Sequence, residues 1–148
     1  MAESRESEER YVAYVNGSEE EQEKQKAEIR ALWRPIPFPD SDCFSDWQEA
    51  EKGLKGGVIM VVTDVTVLSR DPEEWAERAI VFIERGAILE PNNEKHKEWW
   101  NAYLDRGPRN TLMMGGRGRV LLGLEERYSE LLQEEDAQRE QREQQDRT

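Results

Sequence analysis

The sequence predicts an α/β domain with a mainly parallel central sheet flanked by helices and a long C-terminal helix. Val58–Val62 is a continuous apolar run of strand length, which is typical of a strand buried on both faces of a parallel sheet. Residues 71–86 form a helical pattern that separates this run from a short apolar strand at residues 87–89, and this order implies a right-handed crossover. Near the C terminus, apolar side chains recur at helical spacing.

The N-terminal part of the domain is predicted to be a strand followed by a helix. Residues 11–15 form a short apolar run, and residues 18–33 carry a helical pattern. The residues expected to face the core from this helix are Ile29, Leu32 and Trp33. Ser18 and Glu21 have the spacing of a capping box, in which a serine and a glutamate satisfy each other's backbone donors. We therefore expect the helix to begin at Ser18.

Proline and glycine divide the rest of the chain. Residues 34–39 contain three prolines, which predicts a loop or an edge segment. Residues 44–54 are predicted to be a helix. Its inward face would comprise Phe44, Trp47, Ala50 and Leu54. Residues 93–106 are predicted to form another helix, residues 107–118 a glycine-rich mobile hinge, and the last helix is expected from Arg119.

The length of 148 residues favours a single domain. We predict a disordered N-terminus at residues 1–9, the domain at residues 10–133, and a polar helical or disordered tail at residues 134–148.

The charge and the cysteine content indicate which environments the protein suits. With 33 acidic and 21 basic residues, the formal net charge is -12, so the protein should bind DNA weakly or not at all on its own. The single cysteine, Cys43, cannot form an intrachain disulfide, and no signal peptide or membrane-spanning run is present in the sequence. We expect a cytoplasmic protein that does not bind membranes. His96 lies far from Cys43 in sequence, so no metal or other cofactor is expected.

Two segments resemble a known family when they are taken in order. Residues 14–22, YVNGSEEEQ, resemble a first strand that runs into a helix through the pattern Tyr-x-Arg-x-Ser-x-x-x-Gln. Residues 57–89 resemble a buried strand, an Asp-Arg-Leu-Ser-Arg loop, and the helix and strand that follow. These are features of the catalytic domain of serine recombinases, the family of resolvases, invertases and large serine integrases. The last helix resembles the long helix through which such domains dimerise, and the resemblance covers most of residues 10–135.

The resemblance implies a resolvase-like fold and particular site residues. In that family a serine hydroxyl attacks a DNA phosphodiester while arginines stabilise the charge on the phosphate oxygens. Ser18 falls at the nucleophile position, Gln22 keeps its offset of four residues, and Arg70 matches the last arginine of the loop.

Other family arginines are replaced in this chain. Asn16 occupies the position of the arginine that precedes the serine, and Thr66 and Val67 replace the loop's Asp-Arg pair. Residues 40–47, where a further arginine is expected, contain none. The sequence therefore favours a domain that has lost catalysis, with Ser18 retained as a helix cap.

Two further groups of residues are candidates for binding. The first is a basic cluster among glycines that could contact phosphate or DNA, although a hinge is the favoured interpretation. It comprises Arg106, Arg109, Arg117 and Arg119. The second is the apolar seam of the last helix, which could pack within the domain or form an oligomer interface. It comprises Leu121, Leu124, Tyr128 and Leu131.

The favoured hypothesis is a catalytically degenerate serine-recombinase-like domain that acts through protein–protein association. Its partner would be a second copy, an active recombinase or another protein, and its role would be regulatory in DNA recombination or mobile elements. One alternative is an active serine recombinase or DNA-nicking enzyme that uses Ser18 with Arg70 and the Arg117 and Arg119 loop. Another is a small α/β binding module.

Overall fold

A computed structural model describes residues 9–147, in which four parallel strands form one sheet of order β2-β1-β3-β4. The strands are β1 (Arg10–Tyr14), β2 (Cys43–Phe44), β3 (Val58–Val62) and β4 (Ile88–Pro91). In the register of the two central strands, Val12 pairs with Met60, which in turn pairs with Leu89 of β4. The predicted α/β class with a parallel central sheet is therefore confirmed.

Within residues 9–147, six α-helices surround this sheet. They are α1 (Glu19–Leu32), α2 (Trp47–Lys52), α3 (Pro72–Arg85), α4 (Glu94–Leu104), α5 (Pro108–Met113) and α6 (Arg117–Arg147). The long C-terminal helix is confirmed: α6 has 31 residues and a length of about 45 Å at 1.5 Å per residue.

The two faces of the sheet are covered by different helices. On one face, Ile29 of α1 packs with Ala13, Val15 and Val61, and the proline-rich segment adds Phe38. On the other face, α2, α3, α4 and α6 pack over the larger core. Alternate residues of β1 and β3 enter opposite cores, as expected for strands whose successive side chains point to opposite faces.

The helix predicted at residues 44–54 is shorter than expected. Cys43 and Phe44 pair in parallel with Ala13 and Tyr14, so Phe44, which was predicted to begin the helix, belongs to β2 instead. In α1, Ile29 is buried as predicted and Trp33 is half-buried, but the side chain of Leu32 is exposed.

Residues 107–118, predicted to be a glycine-rich mobile hinge, contain the helix α5, and their mobility stays a prediction. Gly107, with a φ of 76°, is followed by Pro108 at the first position of α5, a favourable helix start. Gly115 has a φ of 84°, and Gly116 donates a 2.8 Å hydrogen bond to the Thr111 carbonyl. These residues make a tight corner between α5 and α6, and α6 begins at Arg117 rather than Arg119.

Most of the predicted disordered segment, residues 1–8, lies outside the described residues. Residues 134–147 continue α6, and the side chains of residues 136–146 are exposed. Among residues 9–147, no helix combines the length and the apolar character needed to cross a membrane.

Candidate functional site

The candidate site lies at the carboxyl edge of the sheet, where the loops that follow all four parallel strands meet. In open α/β sheets, ligands bind at this edge, next to the point where successive connections turn to opposite faces. Here that point lies between β1 and β3, because α1 and α3 cover opposite faces. Ser18 follows β1, and Arg70 belongs to the loop that follows β3.

Ser18 is held by the helix that it caps. Its hydroxyl accepts a 3.2 Å hydrogen bond from the Glu21 backbone N–H, and the Glu21 carboxylate accepts a 3.1 Å bond from the Ser18 N–H. These hydrogen bonds hold the pKa of Glu21 below its ordinary value. Gln22 donates to the Gly17 carbonyl at 2.9 Å, so it stabilises the same turn. The predicted capping box is confirmed.

Asn16 fastens this turn to the loop after β3. Its side-chain Nδ2 donates to the Val67 carbonyl at 3.2 Å, and its Oδ1 accepts from the Gly17 N–H at 2.8 Å. The Gln25 side chain bonds both the N–H and the carbonyl of Asn16. At the position where the resemblance predicts an arginine, the amide therefore joins two backbone segments.

The loop that contains Arg70 is ordered by its neighbours. Buried Ser69 donates from Oγ to Glu74 at 2.8 Å and accepts from the Asp71 N–H at 3.0 Å. Arg78 forms a 3.4 Å ion pair with Glu74 and donates to the Leu68 carbonyl. Glu74 thus pairs with Arg78 and Ser69, whereas the Arg70 side chain is exposed.

A cavity of about 630 Å³ opens at this edge between α2 and α3. Its lining residues are Tyr14, Asn16, Ser45, Asp46, Trp47, Gln48, Glu51, Glu74, Glu77 and Arg78. Four of them are acidic, and the guanidinium of Arg78 already lies over the Trp47 ring at 5.5 Å. Burial raises the pKa of Tyr14, so the hydroxyl of this residue stays neutral at neutral pH. The cavity therefore presents four carboxylates and one guanidinium, an excess of negative charge that does not favour a phosphate group.

The four clustered arginines lie at the other end of the domain. Arg109 approaches Gly86, where a Cβ would lie 3.7 Å from its Nη1, and Arg117 forms a 2.9 Å ion pair with Glu84. Glu84 and Gly86 mark the C-terminal end of α3, whereas Arg70 precedes its first residue. Because α3 has 14 residues, about 20 Å separates the two ends. The structure does not bring Arg106, Arg109, Arg117 and Arg119 to Ser18.

The seam of α6 packs within the chain. Leu124, Tyr128 and Leu131 are buried in the larger core, and Leu121 is half-buried against it. The Tyr128 ring stacks on Trp75 of α3 with their centroids 4.4 Å apart, and its hydroxyl donates to the Ser69 carbonyl. Of the two predicted alternatives, this burial matches intrachain packing, and these side chains do not offer a free oligomer surface.

One contact at this edge involves a residue whose surroundings the sequence did not indicate. The Nδ1 of buried His96 accepts a 3.2 Å hydrogen bond from the Val65 N–H, so its Nε2 carries the proton and donates to Glu135 at 2.6 Å. His96 thus joins the loop after β3 to α6. Within residues 9–146, no three His, Cys, Asp or Glu side chains are grouped so that they could hold a metal ion.

In comparisons with known proteins, no family model matches this chain and no curated protein matches it. The resemblance to serine recombinases therefore depends on the two motifs and their order.

Proposed function

We propose that this protein is a catalytically degenerate serine-recombinase-like domain that acts through protein–protein association. The observation that carries this proposal is the chemistry around Ser18. The serine caps α1, Asn16 binds backbone where the family has an arginine, and the neighbouring cavity is lined with carboxylates.

The energetics of phosphoryl transfer disfavour an active recombinase. Removing a single donor to a developing negative charge typically slows a reaction by about 10² to 10³. This chain lacks several family arginines, and its basic cluster lies about 20 Å away along the 14 residues of α3. The acidic side chains of the cavity would also repel a phosphate group that approached it.

The charge of the chain supports association with a protein. The chain has a net charge of -12, which suits a protein partner better than free DNA. Because the seam of α6 is already occupied by α3, the partner must bind a different surface. A second copy of the chain, an active recombinase and another protein are the candidate partners. A role in regulating DNA recombination or mobile elements follows from the same resemblance.

The direct test is incubation of the purified protein with supercoiled DNA, followed by trapping of any 5'-phosphoseryl adduct. Denaturing electrophoresis and mass spectrometry should detect neither an adduct nor a nicked product. The matched control is Ser18→Ala. An adduct on the unmodified protein that disappears in Ser18→Ala would establish the active enzyme and overturn the proposal.

Light scattering over a range of concentrations then separates the partners. A mass that increases with concentration would identify self-association, whereas a constant monomer mass would direct the search to a foreign protein. Leu124→Glu is unsuitable as an interface variant, because Leu124 is 1% exposed and the charge would disrupt the core.

A further inference from the structure

The corner between α5 and α6 presents a surface that neither catalysis nor the core uses. We call it the Met–Arg corner and define it by Leu104, Arg109, Met113, Met114, Arg117 and Arg119. Gly116 gives the corner a fixed shape, because a Cβ at this position would lie 2.6 Å from Cγ2 and 3.0 Å from the carbonyl oxygen of Thr111. The corner therefore brings the first turn of α6 close to α5.

Large apolar side chains are exposed at this corner. The exposed fractions are 78% for Met113, 88% for Met114 and 39% for Leu104. Beside them lies a cavity of about 390 Å³, which is lined in part by Ile83 and Leu112. Methionine side chains are flexible and polarisable, which suits them to contact apolar groups of a partner. This combination is typical of a surface that becomes covered.

The corner is also the basic part of an acidic chain. Arg109 and Arg117 line the same cavity as the apolar side chains, and Arg119 lines the next one with Met114. Of these three arginines, only Arg117 forms an ion pair within residues 9–146, with Glu84 at 2.9 Å. Arg109 and Arg119 are exposed, so they can pair with carboxylates of a partner.

Three kinds of occupant could contact the Met–Arg corner, and their chemistry separates them. DNA would use the arginines but would leave the two methionines and Leu104 without apolar contacts. A second copy could offer its exposed acidic segment, residues 134–146, but Ala137 is the only apolar residue there. An acidic peptide that also carries long apolar side chains satisfies both halves of the corner.

We infer that the Met–Arg corner is the docking surface for an acidic amphipathic helix of a partner protein, whose apolar face covers Met113 and Met114 while its carboxylates pair with Arg109 and Arg119. This inference rests on the proposed function, since it names the chemistry of the associating partner. Helix-in-groove recognition commonly uses apolar anchors at positions i, i+3, i+4 and i+7.

The test uses the full chain and a fluorescein-labelled peptide of about 15 residues, which is long enough to form a helix. The peptide carries Leu and Phe at positions i, i+3, i+4 and i+7 and Glu at most other positions. Fluorescence anisotropy should give a Kd of about 10 µM. A peptide with the same composition but a scrambled apolar stripe, and one with Lys in place of Glu, should each bind at least about tenfold more weakly.

Paired variants locate the binding surface. Met113→Ser with Met114→Ser, and separately Arg109→Glu with Arg119→Glu, should each weaken binding by about tenfold or more. The matched controls are Leu32→Gln, which removes a 63% exposed leucine from α1, and Lys24→Glu, which reverses an exposed charge on the same helix. Both controls should leave the Kd unchanged, and circular dichroism should show that every variant is folded.

Four outcomes would overturn the inference, and three of them come from the binding measurements. They are no binding of the acidic peptide, binding that the corner variants leave unchanged, and tighter binding of a DNA duplex of about 20 base pairs that requires Arg109 and Arg119. A rise in mass with concentration that Met113→Ser with Met114→Ser abolishes would assign the corner to a second copy and would also overturn it. None of these results involves cleavage by Ser18, so loss of the inference is distinguishable from a catalytic result that overturns the proposed function.

Discussion

Tyr128 and Trp75 stack with ring centroids 4.4 Å apart and ring planes 8° apart, and this contact joins α6 to α3. Both side chains are fully buried. The hydroxyl of Tyr128 reaches past the stack to the Ser69 carbonyl, and Trp75 donates from Nε1 to the Val65 carbonyl at 2.9 Å. The pair therefore fixes the loop after β3 as well as the two helices.

Tyr128→Phe should keep the stack and lose the hydrogen bond to Ser69. Because the accepting carbonyl would be left without this buried donor, we expect the free energy of unfolding to fall by about 1 to 2 kcal/mol. Urea unfolding measures the change. Tyr11→Phe is the control, since its exposed hydroxyl bonds Glu9, and it should change stability by less than about 0.5 kcal/mol. Equal urea midpoints for Tyr128→Phe and the unmodified protein would contradict the prediction.

The same residue predicts a loss of stability in alkali. Burial raises the pKa of Tyr128 above its ordinary value of 10.0, so the unfolded state releases the proton at lower pH than the folded state. The stability that this pKa difference contributes is fully present below pH 10.0 and is lost as the pH rises toward the raised pKa of Tyr128. The free energy of unfolding should change less between pH 8 and pH 11 in Tyr128→Phe than in the unmodified protein. Burial also raises the pKa of Tyr14 and Tyr103, so some dependence should persist.

Ser18→Ala should destabilise the protein by about 1 kcal/mol, because it removes the side-chain cap of α1. Ser18→Asn is the matched variant, since asparagine caps helices as well as serine does and has no hydroxyl. We expect Ser18→Asn to retain most of the stability in thermal unfolding. If both variants lost the same stability, the role of Ser18 would not be that of a cap.

Asn16→Arg should not restore DNA cleavage. The substitution returns one guanidinium to the position that the resemblance assigns to an arginine, but it leaves Trp47 and the acidic lining of the cavity in place. It also removes the 3.2 Å hydrogen bond from Nδ2 to the Val67 carbonyl, as does the control Asn16→Ala. The adduct assay on supercoiled DNA checks this, and a covalent product from Asn16→Arg would contradict it.

Two glycines of the C-terminal region should respond in opposite directions. Gly116→Ala forces a Cβ to within 2.6 Å of Thr111 and should destabilise the protein, because part of the contact is with backbone. Gly123→Ala lies inside α6 with no atom within 4 Å of its new Cβ, so it should stabilise the protein by about 0.5 to 1 kcal/mol. Chemical denaturation compares the two. Stabilisation by Gly116→Ala would show that the corner can relax.

Features determined by neighbouring residues were predictable from the sequence. Both ends of α3, predicted at residues 71–86, are set locally, because Asp71 caps the helix ahead of Pro72 and Gly86 ends it with a left-handed φ of 75°. The strand β2 was missed because two residues carry no periodicity, and Cys43 and Phe44 become a strand only through pairing with β1.

In the candidate site, too, contacts between residues close in sequence were predictable and contacts between distant residues were not. The capping box of Ser18 was predictable because its partners lie within three residues. The contact of His96 with Glu135 joins residues 39 positions apart and forms only when α6 packs across the domain. The position of Arg78 over Trp47 likewise depends on how α2 and α3 meet, which no local pattern specifies.

The position of Tyr128 has a consequence for synthesis on the ribosome. Its hydroxyl donates to the Ser69 carbonyl, 59 residues earlier in the chain. Its ring stacks on Trp75, which is also synthesised well before Tyr128. During synthesis, Trp75 lacks this stacking partner and the apolar face of α3 lacks α6 until α6 has been translated. Between the synthesis of α3 and that of α6, the nascent chain therefore exposes apolar surface to chaperones, and chains truncated before Tyr128 should aggregate or be degraded.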